Sequence, residues 1–146
     1  MNAIDNFGAY RKAVELFDHV VEYLAALRED FSLRRLISQQ IASADSICAN
    51  IEEGYGRLSR QEYIRFLDFS RGSARETRGR YLRMHHWLNA QTIQQRVCLL
   101  DEIIGILTAT INTLKRQLDT RPSPLNSRLF PVNCSKTKNY NKTLDL

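Results

Sequence analysis

The sequence of 146 residues has few residues that break helices: three prolines and six glycines, with Pro122, Pro124 and Pro131 all near its end. No residue upstream of Pro122 lacks the backbone amide that a helix needs. Three cysteines occur, Cys48, Cys98 and Cys134, without a CxxC pair or a histidine at ligand spacing, so neither a zinc site nor a disulfide scaffold is written here. Cys48 and Cys98 fall on apolar faces of predicted helices and read as reduced core thiols; Cys134 reads as incidental. No GxGxxG, Walker loop, nucleophile elbow, HExxH or ExxH motif is present. His85 and His86 are neighbours, which on a helix point about 100° apart and cannot share a metal. The expectation is a noncatalytic protein without metal or cofactor. No stretch approaches the roughly 18 uncharged apolar residues of a membrane span, and MNAIDNFGAYRK lacks a signal-peptide pattern, so a cytoplasmic protein without a membrane partner is expected.

What is present is helical periodicity. With 43% hydrophobic residues the chain can bury one core and is too short for two ordinary domains. Phe7, Tyr10, Val14, Phe17, Val21, Leu24 and Leu27 predict a first helix from about Phe7 to Glu29. Asp30 or Ser32 can cap a second, with Leu33, Leu36, Ile37, Gln40, Ala44, Ile47 and Ile51 inward up to Gly54. A third runs from Ser59 to about Leu88 on Tyr63, Phe66, Leu67, Ser70, Ala74, Thr77, Tyr81, Met84 and Leu88. Thr92 with Gln95 reads as a capping box opening a fourth. Its seam, Ile93, Val97, Leu100, Ile104, Leu107, Ile111, Leu114 and Leu118, alternates three- and four-residue steps. Leu99, Ile103 and Ile106 widen that arc, and a second apolar stripe on a bundle helix calls for cover by a neighbouring subunit. The expected fold is all-α, an up-down-up-down four-helix bundle over residues 1–118 that assembles as a homo-oligomer. Residues 119–146, with the three prolines and Lys136, Lys138 and Lys142, read as a flexible basic tail.

The segment from Ser43 to Glu76 is the most constrained. Gly54 stands where a left-handed residue would end the second helix. Ser59 lies three residues before Glu62 in a capping box, and Leu58 with Tyr63 can form a hydrophobic staple. Glu53 and Arg57 can pair across the turn, Asn50 can satisfy backbone groups near Gly54, and Tyr55 reads as a packed turn residue more than a base-stacking one. The run Ser43, Ala44, Asp45, Ser46, Ile47, Asn50, Ile51, Glu53, Gly54, Tyr55, Gly56, Arg57, then Phe66, Leu67, Arg71, Gly72, Ser73 and Glu76, resembles a bacterial family signature. It is that of the 23S rRNA intervening sequence proteins, also labelled S23, over roughly the first 118 residues. That family is similar to the accessory variability determinants of diversity-generating retroelements. The resemblance implies four-helix bundles in a ring, a homopentamer, with nucleic acid and a reverse transcriptase as partners. Ala42 departs from the pattern, since relatives often carry a basic residue there.

Between Arg57 and Arg83 stand eight arginines against three acids, an excess equal to the net charge of +5 of the whole chain, and no lysine. Arg60, Arg71, Arg75 and Arg78 fall within an arc of about 60° on the third helix. Arginine's planar fork suits bidentate contact with phosphate, so Arg57, Arg60, Arg71, Arg75 and Arg78 are the candidate nucleic-acid-binding residues, for RNA or DNA. The alternative is a solvated, ion-paired helix face on a protein-binding scaffold, with a reverse transcriptase or RNA-processing factor as partner. The first reading expects the stripe to face solvent on the assembly, and the second expects it buried in salt bridges between subunits.

Overall fold

The computed structural model describes residues 3–27 and 29–120, so the expected tail from residue 121 onward, with Cys134, lies outside the described residues. Four helices carry the fold: α1 (Gly8–Ala25), α2 (Arg34–Tyr55), α3 (Arg60–Arg83) and α4 (Ala90–Asp119). Short 3-10 turns at Ala3–Asn6, Phe31–Leu33 and Met84–His86 join them, and no strand occurs among the described residues. Contacts between helices fix their direction. Arg60 meets Gln117, Arg71 meets Thr108 and Arg78 meets Asp101, so one number rises as the other falls and α3 and α4 are antiparallel. Gln40 with Thr77 and Ser70 with Ile47 do the same for α2 and α3, and Tyr23 with Thr92 and Lys12 with Glu102 for α1 and α4. Tyr10 with Glu52 completes the round between α1 and α2.

All four helices feed one core. Leu16, Leu24, Ile47, Ile51, Leu67, Tyr81, Leu100, Ile103, Leu107 and Ile111 are essentially removed from solvent, and each such aliphatic side chain contributes about 1.5–3 kcal/mol by burial. On α4 the inward position is Ile103, with Ile104 half-buried beside it, an exchange relative to the expected seam. On α1 the buried line is Ala9, Ala13, Leu16, Val20 and Leu24. The expected line sits beside it: Phe7, Tyr10 and Phe17 are partly buried and Val14 is 37% exposed. The two alanines face the core, and the aromatic residues stand on the flank of α1.

The α2–α3 seam is lined by small and hydroxyl side chains. The Ser70 hydroxyl donates to the Ile47 carbonyl (2.9 Å) and the Gln40 amide to the Thr77 carbonyl (3.2 Å). The Thr77 hydroxyl donates to the Ser73 carbonyl (2.8 Å) and lies 2.9 Å from the Ser43 hydroxyl, which donates to the Gln40 carbonyl (3.1 Å). Gly54 belongs to this seam. It lies inside α2 with no left-handed backbone, and Gly56, which ends the helix, has φ −75°. A Cβ at residue 54 would stand 2.7 Å from Phe66 Cβ, so the glycine serves close approach instead of a left-handed stop.

Several helix ends differ from expectation. Ser59 does accept the Glu62 amide, at 3.4 Å, but Leu58 is fully exposed and forms no staple. Asn89, not Thr92, caps α4 by accepting the Thr92 amide at 2.8 Å. Asp30 caps the 3-10 turn ahead of α2 by accepting from the Ser32 amide and hydroxyl, which holds its carboxyl below the usual range. Asn50 donates back to the Ser46 carbonyl (2.6 Å) and not toward Gly54. The α1 helix ends at Ala25 and α3 at Arg83, both short of the expected Glu29 and Leu88. Cys48 is half-buried, and burial pushes its thiol up to about 12. Cys98 is exposed and no core thiol. By composition α4 is apolar enough to cross a membrane, yet its Asp101 and Glu102 pair with Arg78 and Lys12 of neighbouring helices.

Candidate nucleic-acid interface

Charge is unevenly shared among the helices. Within α3 seven arginines stand against Glu62, Asp68 and Glu76, an excess of four, whereas α1 and α2 each carry one net negative charge and α4 none. Arg60, Arg71 and Arg78 lie along the α3–α4 seam. Arg78 makes a two-pronged contact with Asp101 (2.7 and 3.2 Å), and this hydrogen-bonded carboxylate raises the Arg78 pKa. Arg71 pairs with Asp68 at 2.5 Å and donates to the Thr108 hydroxyl at 3.3 Å, while its Nε is buried without a partner. Arg60 donates to the Gln117 amide oxygen at 2.8 Å. A neutral amide orients that guanidinium without cancelling its charge.

Arg75, a turn further out, is exposed and makes no hydrogen bond or ion pair among the described residues. Arg57 stands apart in the α2–α3 turn, paired with Glu53 as expected, 3.9 Å from Glu62, and 4.8 Å above the Phe66 ring. Arg60, Arg71 and Arg78 thus share the α3–α4 seam, and the five candidates differ in their partners. Arg57, Arg71 and Arg78 have carboxylate partners within the subunit, while Arg60 and Arg75 have none among the described residues.

Two further exposed arginines lie on a separate line of α3, about 80° around the helix from Arg75. Arg65 and Arg83 are both exposed, and 18 residues at 100° each make five whole turns, so they share one line along α3. Arg65 lies 5.3 Å over the Phe69 ring, and the Arg83 guanidinium lies along Gly79. Between them Gly72 meets nothing within 4 Å of where a Cβ would stand, which leaves the helix backbone bare. The same angular arithmetic that found the stripe would have found this line. Arg80 faces away, paired with Glu76 at 2.5 Å and donating to the Gln39 carbonyl at 3.1 Å. His85 and His86 sit in the 3-10 turn and not on an α-helix, and their ring centroids are 4.0 Å apart. No group of three or more histidine, cysteine or acidic side chains able to hold a metal occurs among the described residues.

Four antiparallel helices about one core, with the basic charge gathered on the third, define a small helical-bundle protein with a cationic face. Residues 5–109 match the family described as 23S rRNA-intervening sequence protein, and the chain belongs to that family. Among solved structures it is similar to a protein of unknown function from the S23 ribosomal protein family of Bacteroides thetaiotaomicron. That likeness has a TM-score of 0.64 at 22% identity and covers 71% of this chain and 95% of the other, a likeness of fold. No curated protein matches the chain.

Proposed function

We propose that this chain is a noncatalytic nucleic-acid-binding accessory protein of the bacterial cytoplasm, working as a homo-oligomer and contacting phosphates through the arginines of α3. The observation that carries the reading is the excess of four positive charges on that one helix, with Arg65, Arg75 and Arg83 exposed and without a carboxylate partner among the described residues. Arg60 adds a fourth uncancelled charge. A row of guanidinium groups on a helix follows a phosphate backbone without reading sequence. Repetition of that row in an oligomer multiplies a weak contact.

Self-association rests on the family resemblance: on α4, Ile103 of the expected second stripe is buried in the subunit's own core, and Leu99, Ile104 and Ile106 are partly buried against that core. A ring of five copies follows the family resemblance. The test is binding of a labelled RNA and a DNA duplex by wild type and by an Arg65→Glu, Arg75→Glu, Arg83→Glu variant. Reversal should weaken binding at least tenfold while the oligomer mass stays unchanged. Equal binding by the variant would remove the α3 surface from the account.

The protein-scaffold reading has its own observation. An open groove of about 490 Å³ between α1 and α2 is lined by Phe17, Ile37 and Ile41, with Arg34 and Asp45 among its polar lining. A protein partner, such as a reverse transcriptase or an RNA-processing factor, would be favoured if neither nucleic acid binds at low salt.

A further inference from the structure

Phe31 and Trp87, two of the exposed aromatic residues, share one end of the bundle, while Tyr55 stands at the other end and Phe69 midway along α3. The α1–α2 and α3–α4 connections lie at the same end, as the contacts of Tyr23 with Asn89 and Thr92 and of Arg80 with Gln39 require. Phe31 in the first connection is 81% exposed, and Trp87 in the second is 44% exposed. The Arg34 guanidinium lies 5.4 Å over the Phe31 ring, and Trp87 meets His86 edge to face at 5.6 Å. Arg34, Arg35 and Arg83 are exposed at this end, against Glu29 and Asp30, and the Asp30 carboxylate is engaged with Ser32. Water-exposed aromatic rings with arginines among them are the parts that bind unpaired nucleotides: rings stack on base faces and guanidinium groups hold the phosphates between.

We propose that this end of the bundle binds single-stranded nucleic acid, with Phe31 and Trp87 stacking on bases and Arg34, Arg35 and Arg83 holding flanking phosphates. The proposal rests on the nucleic-acid reading above and narrows it to unpaired strands, because a duplex hides its base faces in the stack. Arg83 also ends the exposed line on α3, so a strand held at this end can continue along that helix.

Trp87 is the single tryptophan of the chain, so its emission reports on this end alone. The full-length protein is titrated with a short single-stranded RNA, the matching DNA strand, their blunt duplex, and anionic phosphatidylglycerol vesicles. Saturable quenching by the single strands is expected, and the tighter of the two identifies the sugar preferred. Phe31→Ala, followed by anisotropy of a labelled strand, should weaken binding about 5- to 150-fold, the range for losing one stacked base. Phe31 is exposed, and a melting curve checks that Phe31→Ala folds. Strand binding that leaves Trp87 emission and the Phe31→Ala affinity unchanged would overturn this proposal and leave the α3 surface standing. Failure of every nucleic acid to bind would overturn both. Emission that shifts with vesicles but not with strands would assign this end to a membrane surface and overturn it too.

Discussion

Replacing Gly54 and Gly72 by alanine makes the same chemical change on neighbouring helices, and the structure gives the two opposite signs. At Gly54 the new methyl would stand 2.7 Å from Phe66 Cβ and 3.2 Å from Tyr63 Cδ2. Phe66 Cβ is fixed to the α3 backbone, so the clash cannot be relieved by swinging the end of a side chain, and the helices must separate. Overpacking of this kind costs about 1–3 kcal/mol. Alanine regains less than about 1 kcal/mol of helix propensity, because Gly54 is the next-to-last residue of α2. The net expectation is a loss of about 1–2 kcal/mol, or roughly 3–8 °C in Tm. Gly72 lies in mid-helix with nothing within 4 Å, so alanine there should add about 0.5–1 kcal/mol. Urea unfolding followed by circular dichroism measures both, with the slope checked for constancy so that the midpoint reports stability. A Gly54→Ala protein as stable as wild type would refute the close-approach argument.

Leu107 is fully buried on α4, and Leu107→Ala should cost about 2–5 kcal/mol in the same unfolding assay. The Tyr81 hydroxyl and the Gln40 amide oxygen are both buried without a partner at hydrogen-bond geometry, so Tyr81→Phe should leave stability unchanged or raise it by about 1 kcal/mol. Burial pushes Tyr81 up to about 12, and the hydrogen bond to Glu52 does the same for Tyr10. Both folded values lie above the unfolded value near 10, so that stability is complete below pH 10 and is lost as pH rises toward 12; Tyr81→Phe should make the alkaline fall shallower. In a Cys134→Ser background, a thiol reagent should label exposed Cys98 fast and half-buried Cys48 slowly, because burial disfavours the Cys48 thiolate; equal rates would contradict the burial.

The sequence is legible where a local rule decides. Ser59 marks the start of α3 because an N-cap needs only its own first turn, and the α4 seam is plain because most of its residues are large and aliphatic. The α1 register was not legible, since Ala9 and Ala13 weigh little in a hydrophobic pattern while Phe17 and Tyr10 weigh much, yet it is the alanines that face the core. Gly54 could be seen to matter, but whether for φ or for space depended on Phe66, twelve residues away on another helix. The arginines show the same limit. Their angles on α3 follow from helix geometry, but the cancellation of Arg78 depends on Asp101, which α4 brings alongside from 23 residues on.

The most direct test of the account is fluorescence anisotropy of labelled RNA and DNA with the purified protein across a salt series, with oligomer mass measured on the same sample. Phosphate contact through Arg65, Arg75 and Arg83 predicts that the logarithm of affinity falls linearly with the logarithm of salt, with a slope of about −2 to −3 for each subunit engaged. Absence of binding at low salt, or an affinity that does not change with salt, would contradict it.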